Sequence, residues 1–225
     1  MTKEELKKAL RVYGVTNREV LASGISLEEA VSEAIRGGAT MIQLREKELE
    51  TKQGENVRPE WKELALRILA ICREHRVPLL IDDDVALARE IDADGVHVGQ
   101  SDQSCREARA ILGEDKIIGV TAKTLEQALL AQEAGADYLG SGAIFGTKTK
   151  KDAVSMTKDM LKTITDAVEI PVVAIGGITC DNVSGLEETG VAGVAVISGL
   201  FAGQNIAENA KKLRKAVLKF HAVSV

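Results

Sequence analysis

The sequence predicts a single (β/α)8 barrel domain over residues 1–225, an α/β TIM barrel opened by a short N-terminal helix. The first observation behind this is the alternation of short β-branched runs with helical patterns along the whole chain. The second is a phrase that recurs where a helix hands over to a strand: GGATMIQ, DADGVHV, AGADYLG and TGVAGVAV. In each, a glycine is expected to stop the helix before a short turn. The third is that no GxGxxG opens the first helix, which weighs against the alternative, an open doubly wound sheet. Parallel strands need crossover connections, and the helical patterns supply them.

The opening MTKEELKKAL is charged and amphipathic, with no apolar signal-peptide core behind it. RVYGVT (11–16) reads as the first strand, and SLEEAVSEAIRGG (26–38) as a helix capped by Ser26. TMIQLR (40–45) is the second strand. The polar stretch ELETKQGENVRPEW (48–61), with Gly54 and Pro59, is expected to be a long loop, either a lid or an inert insertion. VPLLID (77–82), GVHVG (95–99) and KIIGVT (116–121) follow as strands three to five. TLEQALLAQEAGA (124–136) is a helix capped by Thr124, with Leu125, Ala128, Leu129 and Gln132 at helical spacing and Gly135 as its stop. DYLGSG (137–142), IPVVAIG (170–176) and AGVAVIS (192–198) complete the strands.

Hydrophobic residues make up 45% of the chain, enough for a sizeable core. The net charge of −5 gives no basic field for nucleic acid, and no apolar stretch is long enough for a bilayer. Cys72, Cys105 and Cys180 lack CxxC spacing and are expected to be reduced thiols of a cytoplasmic protein. Small-molecule substrates are the expected partners, and a homo-oligomer stays open.

In such a barrel the active site lies where the strands end and the following loops begin. At the second strand, QLREK (43–47) puts Met41, Gln43, Arg45 and Lys47 on one face, with Ile42 and Leu44 on the other. An amide and two cations on one face suit an anion. Strand three ends in Asp82, Asp83 and Asp84, and strand four runs through His97 to Gln100 and Asp102. Strand five ends at Thr121, strand six runs into FGTKTKKD (145–152), strand seven into IGGIT (175–179), and strand eight into ISG (197–199). Gly176 and Gly177 read as a phosphate seat or as a tight turn. Asp83 and Asp102 read as Mg²⁺ ligands beside the cations Arg45, Lys47 and Lys150, or as a helix start and a solvated carboxylate. His97 reads first as a packed, hydrogen-bonded barrel histidine and second as catalytic. Two anion seats and a metal pair imply displacement of pyrophosphate.

The motifs QLREK, DADGVHVGQSD, GTKTKKDA and AIGGIT, in order over nearly the whole chain, resemble the thiamine phosphate synthase family. The resemblance implies a Mg²⁺-dependent transferase. Such enzymes join 4-amino-2-methyl-5-hydroxymethylpyrimidine diphosphate to 4-methyl-5-(2-phosphoethyl)thiazole, with dissociative loss of pyrophosphate. It assigns Gln43, Leu44, Arg45, Glu46, Lys47, Asp82, Thr121 and Lys150 to the pyrimidine diphosphate, with Arg45, Lys47 and Lys150 as catalytic cations. Within that stretch strand alternation turns Glu46 away, so Glu46 itself is expected to take no part. The resemblance gives Thr147, Lys148, Thr149, Gly177, Ile197 and Ser198 to the thiazole phosphate, and Asp83 and Asp102 to the metal. Asp82 stands where the family commonly has Asn, and Gly146 where it has proline. Thr121 replaces a usual serine, and Lys123 a usual histidine with no evident mechanistic cost. Rival readings are a thiazole tautomerase-like paralogue, a non-catalytic binder of thiazole phosphate or thiamine phosphate, and a generic phosphate-binding barrel enzyme.

Overall fold

Eight parallel strands close on themselves in sequence order in the computed structural model, which describes residues 1–47, 57–100, 104–146 and 156–220. They are β1 (Val12–Val15), β2 (Met41–Leu44), β3 (Leu79–Asp82), β4 (Gly95–Val98), β5 (Ile117–Thr121), β6 (Tyr138–Gly142), β7 (Val172–Ile175) and β8 (Gly193–Val196). Every strand expected from the sequence is present, shortened by one to three residues, and β1 pairs with both β2 and β8 to complete the ring. The (β/α)8 barrel is therefore the fold of this chain.

Side-chain alternation sorts the core into two shells. Tyr13, Val15, Met41, Leu80, Ile117, Tyr138, Val173 and Ala195 point into the barrel. Val12, Ile42, Leu44, Leu79 and Ile81 point outward, into a larger layer shared with the helices. The first helix, α1 (Lys3–Ala9), begins with a capping box between Thr2 and Glu5. It packs Leu6, with the following Leu10, against the inner shell, so it plugs the end of the barrel where the strands begin.

The next helix, α2 (Leu27–Gly37), is capped by Ser26, whose hydroxyl accepts from the Glu29 N–H while the Glu29 carboxylate returns the bond. Leu27, Ala30, Val31, Ala34 and Ile35 form its buried stripe, the i, i+3, i+4, i+7 pattern of an amphipathic helix. Gly38 and Gly190 end helical segments in left-handed conformations, as the recurring phrase predicts. In DADGVHV the stop is different: Asp92 takes the left-handed conformation, and Gly95 already opens β4. Asp tolerates that region through its short polar side chain.

Two other expectations need correction. Residues 57–61, read as part of a loop, are the first turn of the helix α3 (Val57–Glu74). Pro59 fits there because the first-turn N–H groups have no intrahelical acceptor, and Trp61 is buried in the outer shell. In the helix Leu125–Glu133, Ala128 and Ala131 carry the buried face, while Leu129 is exposed. Among the described residues no helix is long and apolar enough to cross a membrane.

The two inner tyrosines fit because their neighbours are small. A Cβ on Gly119 of β5 would stand 2.1 Å from the Tyr138 ring. Gly119→Ala is therefore expected to lower unfolding free energy by about 1–3 kcal/mol, read by urea denaturation. An unchanged midpoint would mean that the barrel absorbs a displaced ring without cost.

Candidate active site

The strand ends open onto a cavity of about 1000 Å³, counting its mouth, to which all eight strands or their following loops contribute. Its lining includes Tyr13, Gln43, Arg45, Asp82, His97, Thr121, Lys123, Gly177, Ile197 and Ser198.

Arg45 and Gln43 reach it by alternation along β2 and just beyond. Gln43 is buried and donates from Nε2 to the Tyr13 hydroxyl at 2.7 Å. Arg45 is held by its backbone, whose N–H donates to the buried Thr16 hydroxyl at 2.9 Å. Its guanidinium faces Asp82 at 3.4 Å. Lys47 completes the group, with its ammonium 2.8 Å from Asp82 and 2.6 Å from Asp83. Two cations and two carboxylates thus interlock at the ends of β2 and β3. Asp82, only 6% exposed, is shared by both cations. Burying a carboxylate costs several kcal/mol unless it is paired, roughly, and these two partners offset that cost.

The acidic run divides its work. Asp84 caps the helix Val85–Glu90 by accepting from the Leu87 N–H, and it pairs with Arg58. With the helix start served by Asp84, Asp83 adopts a left-handed backbone, and its N–H donates to the His97 carbonyl at 2.9 Å.

Two residues assigned to the pyrimidine diphosphate turn away from the cavity. Leu44 is fully buried in the outer shell. Glu46 is buried beside β1, accepts from the Thr16 hydroxyl at 3.1 Å and faces Arg18 at 3.5 Å. The motif carried both residues in, and the two-residue period turns both out. Asp102, Thr147, Lys148, Thr149 and Lys150 lie outside the described residues.

On the other side of the ring, the loops after β7 and β8 meet. Gly177 has φ 67°, and a Cβ there would fall 2.1 Å from the Gly146 carbonyl oxygen, so only glycine fits. Asn182 clamps this turn by donating to the Gly177 carbonyl and accepting from the Thr179 N–H, each at 2.9 Å. Ile197 opens the short helix Ser198–Phe201, its carbonyl accepting from the Leu200 and Phe201 N–H groups at 3.1 and 2.9 Å.

Tyr13, which lines the cavity, and Tyr138 beneath it are residues that sequence reasoning passed over, and Lys123 entered it only as a departure from the family pattern. Tyr13 and Tyr138 share a hydrogen bond at 2.9 Å, and His97 bonds Tyr138 through Nδ1 at 2.8 Å and Thr121 through Nε2 at 3.0 Å. His97 is thus the packed, hydrogen-bonded histidine expected first, and it also lines the cavity. Lys123, two residues beyond Thr121, adds a cation to the wall. Desolvation by burial pushes both phenols well above their ordinary range. Away from the cavity, burial pushes the Cys72 thiol up to about 12, which makes it inert.

A family model described as thiamine monophosphate synthase matches residues 12–200. A thiamine-phosphate synthase of Clostridium acetobutylicum is 45% identical over 209 residues, covering 93% of this chain and 95% of that protein. One from Methanobrevibacter smithii is 46% identical over 175 residues, covering 78% of this chain and 80% of its own. The solved structure of a thiamine phosphate pyrophosphorylase from Pyrococcus furiosus superposes with a TM-score of 0.84 at 37% identity, covering 96% of this chain and 98% of that one.

The two phenols give the site a spectroscopic signature, since Tyr13 and Tyr138 are the only tyrosines in the sequence. Unfolded tyrosine ionises near pH 10, roughly, whereas both native phenols hold their protons above that. Stability from this source is full below that pH and falls as pH rises past it. Native protein is expected to show no tyrosinate absorbance until circular dichroism reports unfolding. A tyrosinate signal from folded protein near pH 10, roughly the ordinary value, would overturn the buried arrangement.

Proposed function

The chain belongs to the thiamine monophosphate synthase family, and on that premise we propose that it condenses a hydroxymethylpyrimidine diphosphate with a phosphoethyl thiazole, releasing pyrophosphate. The observation that carries this reading is one cavity lined by Arg45 on one side and by the Gly177 turn and Ser198 on another, which we read as seats for two anions. Arg45 lines it just beyond β2, with Lys47 beside it on Asp82 and Asp83, and Gly177 and Ser198 line it beyond β7 and β8. A substrate with a diphosphate and one with a monophosphate can occupy such a cavity together, with their reacting atoms between.

The two cations are engaged by Asp82 and Asp83. An arriving diphosphate takes over Arg45 and Lys47, which are already oriented and need little reorganisation to receive its charge. As the bond from carbon to the diphosphate breaks, negative charge grows on the leaving group, and these two side chains stabilise it there. The thiazole, held by its phosphate at Gly177 and Ser198, then captures the pyrimidine methylene carbon through its nitrogen. The protein contributes proximity and charge, in keeping with a cavity whose Asp82 is ion-paired and whose His97 is bonded on both ring nitrogens.

The Asp82 and Asp83 carboxylates also bear on Mg²⁺. Lys47 Nζ lies between one oxygen of each, at 2.8 and 2.6 Å, so a cation already occupies a seat made of two hard oxygen donors. Asp83 and, from the resemblance, Asp102 would hold the metal. Bound there, Mg²⁺ would supply further neutralisation of diphosphate charge.

One assay tests the reading: purified protein, both substrates, and either Mg²⁺ or EDTA. Thiamine phosphate is expected with Mg²⁺ and none above background with EDTA. Absence of product in both would sink the enzyme, and undiminished product in EDTA would sink the metal. Substitutions separate the seats. Arg45→Ala should reduce kcat/KM for the pyrimidine diphosphate by about 100-fold while the thiazole phosphate KM barely moves. Gly177→Ala should chiefly raise the thiazole phosphate KM. If both variants impaired both substrates alike, the two-seat arrangement would be wrong.

A further inference from the structure

Beneath the cavity, side chains from five strands form one continuous row of hydrogen bonds. It runs from Gln43 Nε2 to Tyr13 OH (2.7 Å), to Tyr138 OH (2.9 Å), to His97 Nδ1 (2.8 Å), and from His97 Nε2 to Thr121 Oγ1 (3.0 Å). Such a row has a direction, because each phenol and each neutral imidazole has one proton to give. Gln43 donates to Tyr13, so Tyr13 must give its proton to Tyr138, and Tyr138 must give its own to Nδ1 of His97. The imidazole proton then lies on Nε2 and goes to Thr121. Having accepted that bond, Thr121 turns its own O–H toward the cavity. With the Gln43 amide reversed, every step reverses: Thr121 would give its proton to His97 and offer the cavity only lone pairs. Phosphate oxygens accept and do not donate, so one direction of the row serves a phosphorylated ligand and the other does not.

We propose that Tyr138 and His97 are positioning residues that, through this row, hold the Thr121 hydroxyl as a hydrogen-bond donor to the diphosphate of the pyrimidine substrate. This rests on the assignment of Thr121 to that substrate. The row is enclosed: Tyr13 and Tyr138 are buried in the barrel, and Gly119 and Gly140 leave the space that the Tyr138 and His97 rings fill. Its links are not equivalent. Tyr13 sets the direction through Gln43, but with phenylalanine at position 13 the buried Tyr138 hydroxyl keeps only Nδ1 of His97 as an acceptor for its proton, so the tautomer stays in place.

The tautomer is read directly, without substrate, from proton–nitrogen correlation spectra of the full chain carrying isotope-labelled histidine. The His97 signals are identified among the three histidines by their loss in His97→Gln. The parent should carry the His97 proton on Nε2, Tyr13→Phe should keep it there, and Tyr138→Phe should release it to Nδ1. Calorimetry with inorganic pyrophosphate and Mg²⁺ reads the other end. Tyr138→Phe and Thr121→Val should each weaken binding about tenfold, and Thr121→Ser should restore it. A parent protonated on Nδ1, or pyrophosphate affinity unchanged in both variants, overturns the proposal. Protein that shows the tautomer and the pyrophosphate losses but makes no thiamine phosphate keeps the row and loses only the proposed reaction.

Discussion

Two phenols meeting across the barrel axis set the level on which the site stands. Tyr13 on β1 and Tyr138 on β6 approach edge to face, with centroids 5.9 Å apart and planes at 77°, the arrangement aromatic quadrupoles favour. Their hydroxyls are buried, so each needs polar partners, and Gln43 on one side and His97 on the other provide them. Below this layer the interior is apolar, built from Met41, Leu80 and Ile117 and closed by Leu6 and Leu10. Above it stand Arg45, Asp82, Thr121 and Lys123. The division between a packed core and a reactive cavity is thus made by one pair of rings and the hydrogen bonds they require.

The charges above that layer are balanced before any ligand arrives. Arg45 and Lys47 face Asp82 and Asp83, and the half-buried mouth tolerates all four because each has an opposite partner in reach. Asp82 gives this balance its character. The resemblance set Asp82 where the family commonly has asparagine, which could orient a cation but not neutralise one. An aspartate there competes with an incoming anion for the same cations. In the proposed reaction, binding of the diphosphate is therefore an exchange of partners.

Much of this was legible in the sequence because its causes are local. Strands announce themselves by β-branched runs, Ser26 and Thr124 by their capping chemistry, and the inward turn of Gln43 and Arg45 by the two-residue period. The same period argues against Leu44 and Glu46, yet motif resemblance carries residues as a block and does not ask which way each points. Pro59 reads as a loop residue until the first turn of a helix claims it. The hydrogen bond between Tyr13 and Tyr138 joins residues 125 apart in sequence, and no local pattern marks either tyrosine as its partner. The acidic run was visible as three carboxylates, but its division into an ion-pair hub, a partner of Lys47 and a helix cap depends on backbone angles that composition does not encode.

The plug formed by α1 has a consequence for traffic. With Leu6 and Leu10 seated against the inner shell, the described residues close the barrel where the strands begin and leave the cavity open at the strand ends. In the proposed reaction both substrates would reach Arg45 and Gly177 through that mouth, and both products would leave the same way. Entry and exit would then share one passage, with a molecule near the rim lying in the path of one held deeper.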